Sequence, residues 1–250
     1  QVFLRVGDGP RFFSLSPTLP GQEPGFSHIG LSVAGFDAEQ IQAQLGRFGI
    51  ARGVAPTRGQ SRLSVASTSW IEQRGAVSEL FFADREGLIY HLMGDSYCGG
   101  NDADGGRCET LEQSASDGMF SLIDYSHFTN FLTNRARANA FYTQAFGKTF
   151  QAYQGPGAPV IGVGDGLQFL MYVGGEEDSV PAVPGRIDHV CFSVEDFDVD
   201  RILARLTDYG LKPRQNPRET APYMHWISMR MPNRGGAEGG THELYFTDPD

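Results

Sequence analysis

Three histidines sit in stretches that echo one another. His28 lies in GFSHIGLSV, His189 in GRIDHVCFSV, and His127 in YSHFTNFL, 62 residues ahead of His189. Neutral imidazole is a good ligand for Fe(II), Mn(II) or Zn(II), so two brought to one centre could hold a divalent ion. The competing reading is an ordinary half-buried, hydrogen-bonded histidine in an apolar strand. Equivalent placement within a repeat argues for ligation. His91 in LIYHLMG, Glu243 and Tyr245 in ELYFTDPD, and His225 in YMHWISMRM complete the set of side chains that could act.

Cys98 and Cys108 lie ten apart in YCGGNDADGGRC. They could close a disulfide or form half of a metal clip. No nearby His or Cys completes a tetrahedral zinc set, so a disulfide is expected, and with it an extracytoplasmic (periplasmic or secreted) protein; reduced thiols would point to the cytoplasm. Cys191, inside HVCFSV, reads as a buried core thiol.

A tandem repeat must position these residues. VGDGPRFFSL from Val6 returns as VGDGLQFLMY from Val163, the His28 segment returns around His189, and ELFFADREG from Glu79 returns as ELYFTDPD from Glu243. Three matches in the same order, at offsets drifting from 157 to 164, indicate duplication with small insertions. Each copy divides again into a His-bearing strand, a helix and three short strands. Val199, Ile202, Leu203, Leu206 and Tyr209 recur at helical spacing between an Asp198 N-cap and a Gly210 stop, and Ala138, Phe141, Tyr142, Ala145 and Phe146 do the same before Gly147. The expected organisation is an N-terminal domain over 1–95, a Gly/Asp/Ser-rich linker over 96–118 and a C-terminal domain over 119–250. Aligned on each other, the first copy lacks an opening strand and helix and the second a closing strand, so a chain shortened at both ends is expected. Gln1 to Asp8 carries neither the basic nor the apolar region of a leader, consistent with processing or trimming.

Composition limits the partners. A net charge of -10, from 20 basic and 30 acidic residues, gives no basic footprint for nucleic acid or an anionic membrane. No apolar run approaches the roughly 18 residues of a membrane-spanning helix. VGDG and GGAEGG read as hairpin turns and not as phosphate-binding loops. A small-molecule substrate remains as the partner, and the sequence leaves a homo-oligomer open.

With its His-bearing strands HVCFSV and HIGLSV, the helix end FYTQAFG (Phe141 to Gly147) and the hairpins ELYFTDPD and ELFFADREG, the sequence resembles the vicinal oxygen chelate superfamily: glyoxalase I, type I extradiol dioxygenases, and bleomycin- or fosfomycin-resistance proteins. The resemblance implies an α+β fold in which tandem βαβββ modules pair into two curled-sheet cups. It implies that His127 and His189 are metal ligands. A carboxylate would follow four residues after the Gly of DPDG, beyond Asp250, with Glu243 as the fallback within the chain. His91 occupies that carboxylate position in the first pair and with His28 would make a second, all-nitrogen site, although in two-domain dioxygenases the N-terminal pair is usually metal-free. Tyr245 matches the tyrosine that hydrogen-bonds the substrate oxygen, where the first copy has Phe81. His225 would be a general acid or base if its strand faces the cup. The implied function is a metal-dependent enzyme, Fe(II) first and Mn(II) or Zn(II) next, foremost an extradiol-type dioxygenase on a catechol-like substrate. The alternatives are a metal-assisted isomerase or lyase of the glyoxalase type and a metal-free small-molecule binding or resistance protein.

Overall fold

The computed structural model describes residues 2–7, 9–57, 59–95, 97, 99 and 118–250. The Cys98–Cys108 pairing and most of the 96–118 linker lie outside them. Among the described residues fifteen strands and three α-helices follow in the order β1 (Val2–Arg5), β2 (Phe12–Leu15), β3 (Ile29–Val33), α1 (Ala38–Gly46), β4 (Ala51–Arg52), β5 (Thr68–Arg74), β6 (Val77–Ala83), β7 (Ile89–Gly94), β8 (Leu122–Leu132), α2 (Arg135–Ala145), β9 (Phe150–Tyr153), β10 (Pro159–Gly162), β11 (Phe169–Gly174), β12 (Arg186–Val194), α3 (Val199–Tyr209), β13 (Lys212–Pro213), β14 (Met224–Arg230) and β15 (Thr241–Phe246). Among the described residues no helix is long and apolar enough to cross a membrane.

A unit of strand, helix and further strands, closed by its own last strand, occurs twice: four strands follow the helix in the first, β4 being only two residues long, and three in the second. In one five-stranded sheet the order is β3-β7-β6-β5-β4, and in the other β8-β11-β10-β9 carries β12 on its far edge. In both, the first strand of the unit pairs in parallel with its last, β3 with β7 and β8 with β11. A parallel neighbour requires a crossover, and the helix supplies it. Strands β13-β14-β15 form a third sheet and β1-β2 a hairpin. The VGDG turns are equivalent: the Val6 amide donates to the Arg11 carbonyl at 2.9 Å and that of Val163 to Gln168 at 2.8 Å.

Each helix starts on a short acidic or amide side chain. Asp37, Asn134 and Asp198 accept from the amides of Gln40, Arg137 and Arg201, satisfying one of the free donors at a helix start. Gly210, at φ 112°, ends α3 in the left-handed region that favours glycine. Ile202 and Leu206 bury themselves beneath α3, whereas Tyr209, counted in the apolar stripe from spacing, is 65% exposed. It follows Leu206, the last buried residue of the stripe. Substituting Asp198 with alanine should cost about 1 kcal/mol in a urea titration, the usual worth of an N-cap.

The main core is shared between the two copies. Ile29, Leu80, Phe82, Tyr90 and Leu92 from the first pack with Leu132, Tyr142, Ile161, Leu170 and Tyr172 from the second. Tyr142 stacks on Tyr172 with centroids 4.5 Å apart, and the Tyr90 and Tyr172 hydroxyls lie 2.6 Å apart. The Tyr142 hydroxyl donates to the buried Asp84 carboxylate at 2.8 Å; the other oxygen of Asp84 accepts from the amides of Glu86 and Leu88. Glu86 in turn accepts from the amides of Thr133 and Asn134, at 2.5 and 2.9 Å, and from Arg137. A carboxylate of the first copy thus completes the N-terminus of a helix in the second, the end where the helix dipole favours negative charge.

Candidate functional site

Strands β8 and β12 run antiparallel with three register shifts, two of them beside the histidines. Ile187 faces Asn130 and His189 faces Thr129, leaving Asp188 without a partner; Cys191 faces His127 and Phe192 faces Tyr125, leaving Ser126 without one. Both are bulges, which break the in-and-out alternation of a strand and re-aim the next side chain. A histidine follows each bulge. Their rings meet edge to face with centroids 5.6 Å apart.

The residue before each histidine holds its Nδ1. Ser126 Oγ lies 3.1 Å from Nδ1 of His127, and Asp188 Oδ2 lies 3.0 Å from Nδ1 of His189. Each Nε2 therefore remains for another partner. His127 stacks on Phe169 at 4.5 Å. Its pKa falls to about 3, first through burial and then through His189 and Arg230, so it is neutral at physiological pH. The Asp188 carboxyl is held low: burial pushes it up, but the hydrogen bond and charge of His189, together with Arg186, outweigh burial.

Across from β12, the edge of the His189 ring meets Tyr245 at 5.4 Å. Trp226 stacks on Tyr245 at 5.3 Å, and the Arg214 guanidinium lies 3.9 Å over Trp226. Burial, with Glu243 and Cys191 nearby, pushes the Tyr245 hydroxyl up to about 12, so it stays protonated. Glu243 pairs with Arg230. Cys191, two residues beyond His189 and so on the same face of β12, is only partly buried and interacts with Ser126, which places it at the rim of this cluster and not in the core.

His225 is not part of the cluster. It lies next to Trp226 and therefore points the other way, where it is buried against the Thr207 hydroxyl of α3 at 3.3 Å. Its condition for a general acid or base, a strand face turned to the cup, is not met.

The first copy builds a matching cluster. His28 and His91 have centroids 5.6 Å apart, and Trp70 stacks on Phe81 as Trp226 does on Tyr245. Arg74 bonds Glu79 at 2.8 Å as Arg230 bonds Glu243. Ser27 Oγ lies 2.8 Å from Nδ1 of His28. Glu79 is buried and is also hydrogen-bonded by Tyr97. Buried Nε2 of His91 has no hydrogen-bond partner among the described residues, and Glu79 Oε2 lies 3.8 Å away. Burial, then His28, lowers the His91 pKa to about 4.

Among the described residues, no three His, Cys, Asp or Glu side chains group as a ligand set for a metal ion. At the second cluster the two imidazoles offer two nitrogen donors of a type suited to a divalent ion. Glu243 is engaged by Arg230, so further donors would come from water or a chelating substrate.

No protein-family model matches the sequence, and none of the curated proteins does. Among solved structures, the Mn(II)-bound glyoxalase of Novosphingobium aromaticivorans aligns over 88% of this chain with a TM-score of 0.50 and 15% identity. The chain shares the curled-sheet α+β fold of that glyoxalase. The chain spans 63% of that glyoxalase. Methylmalonyl-CoA epimerase of Mycobacterium tuberculosis matches 57% of this chain and 94% of its own, at 15% identity and a TM-score of 0.32. A fusion of a xylose isomerase-like TIM barrel with a 4-hydroxyphenylpyruvate dioxygenase matches 73% of this chain and 27% of its own, at 14% identity and 0.42.

The paired WIxxR runs, SWIEQR and HWISMR, place the Trp and Arg of both clusters and are visible in the sequence. Sequence reasoning passed over them because it followed histidines and carboxylates. Ser126 and Asp188 were missed for a different reason: consecutive strand residues normally face apart, and the bulges bring Ser126 and Asp188 to the histidines that follow.

Proposed function

We propose that the protein is a metal-dependent enzyme acting on a small substrate with two adjacent oxygens, and that oxidative opening of a catechol-like ring is its reaction. The observation that carries this reading is the meeting of His127 and His189 after paired bulges, each with Nδ1 occupied and Nε2 free. His127 and His189 would hold the ion, Fe(II) in the first place and Mn(II) or Zn(II) in the second; once bound, it supplies Lewis-acid polarisation of the substrate oxygens. The Mn(II) of the Novosphingobium glyoxalase supports a divalent ion on this fold. Tyr245, protonated and beside His189, donates a hydrogen bond to a substrate oxygen. Phe169, stacked on His127 by one face, provides a flat apolar wall for a planar ring. The glyoxalase-type isomerase or lyase is the second reading, favoured by the Asp188–His189 contact, which would assist movement of a proton.

Elemental analysis of purified protein, with oxygen uptake measured on catechol-type substrates, tests the proposal. Stoichiometric divalent metal, at least about 100-fold weaker binding in both H127A and H189A, and substrate-dependent oxygen consumption are expected. Metal without oxygen uptake would favour the isomerase reading. A metal-free protein that still binds aromatic ligands would replace both with a sequestering function.

A further inference from the structure

The three histidine–neighbour pairs differ in one chemical respect. A serine hydroxyl can donate to an imidazole nitrogen or accept from it, so Ser27 and Ser126 leave the tautomers of His28 and His127 open. An ionised carboxylate can only accept. Asp188 therefore requires a proton on Nδ1 of His189, leaving Nε2 as the nitrogen with the lone pair in a ring that packs against His127 and Tyr245. Two further features hold Asp188 in place. As a bulge residue it is free of strand pairing, and its second oxygen accepts from Arg186 at 3.1 Å.

We infer that Asp188 is a positioning residue that fixes His189 as the Nδ1–H tautomer and makes it the stronger donor of the His127–His189 pair. A carboxylate behind an imidazole raises its basicity as a ligand, and loss of such a partner typically weakens metal binding 10–100-fold, an order-of-magnitude expectation. The aromatic and Arg–Glu parts of the two clusters match, so the serine-to-aspartate difference between Ser27 and Asp188 distinguishes the second copy's histidine from its equivalent in the first. The use of this donor rests on the metal-site reading above; the tautomer does not.

The test separates the two. Imidazole nitrogen shifts of metal-free protein, recorded at about pH 8, above the ordinary imidazole range, report the tautomer directly. His189 is expected as Nδ1–H in the native chain and as a mixture or Nε2–H in D188S, which copies the chain's own other two pairs. The reciprocal S126D should shift His127 towards Nδ1–H, guarding against a D188S chain that fails to fold. Titration with Mn(II) alone should show D188S binding about 10–100-fold more weakly than the native protein. An Nε2–H tautomer in the native chain, an unchanged tautomer in D188S, or equal Mn(II) affinity in the two would each overturn the inference. A native chain that takes up no Mn(II) yet shows the expected tautomer switch would sink the metal-site reading and uphold the positioning role.

Discussion

E86A is expected to lose about 3–5 kcal/mol of stability, seen as a lower urea midpoint with an unchanged slope. Glu86 is 3% exposed and accepts from the Thr133 and Asn134 amides and from Arg137. Alanine removes all three contacts together, leaving two amide donors at a helix start without their acceptor and Arg137 with Asp178 alone; each unsatisfied buried group costs about 1–3 kcal/mol. Glutamine retains one acceptor oxygen and loses the charge, so E86Q should recover part of the deficit. An E86A chain within about 1 kcal/mol of the native protein would show that water replaces the carboxylate at little cost.

The stability of the native chain relative to D84N is expected to fall by on the order of 3 kcal/mol as pH rises from about 4 to 7. Burial raises the Asp84 carboxyl from the ordinary 3.8 to about 6, against the lowering effect of the Tyr142 hydroxyl and the Leu88 and Glu86 amides. A carboxyl raised in the folded state contributes stability that is complete below its unfolded value and is lost as pH climbs through the folded one. Above about 6 the chain carries a buried charge, which asparagine removes. His127 and His91 act in the opposite sense in metal-free protein. Their lowered values mean that their contribution is present above the unfolded imidazole range and is lost on acidification. The native curve alone mixes these terms, whereas subtracting the D84N curve isolates Asp84. A difference that stays flat across this range would mean that Asp84 does not titrate there.

Much of this architecture could be read in the residues. The echoes at Val6 and Val163, Gly25 and Gly185, and Glu79 and Glu243 return as hairpins or strands in matching places, and Asp198 and Gly210 bound α3. The closeness of His127 and His189 was legible because a repeat relates their strands. The side on which His225 lies could not be read, because strand alternation offers two faces and the sequence does not say which is turned inward; in the structure it meets Thr207 on α3. Cys191 was misjudged for the same reason. The bulges could not be foreseen, since Ser126 and Asp188 look like ordinary polar residues of alternating strands and become partners of the next residue only when the register slips. Nor did the repeat show that the two complete units would bury Tyr90, Tyr142 and Tyr172 against one another, because a duplication specifies each unit and not which neighbour it packs on.

The shared tyrosine core also has a consequence for how the chain can be cut. Tyr90 and Asp84 come from before residue 101, Tyr142 and Tyr172 from after 117, and their hydroxyls and rings are completed only across that division. Neither piece would present a finished surface alone. Two polypeptides, 1–100 and 118–250, made separately and mixed, should therefore reconstitute one another as a fragment pair, each acting as the template on which the other orders.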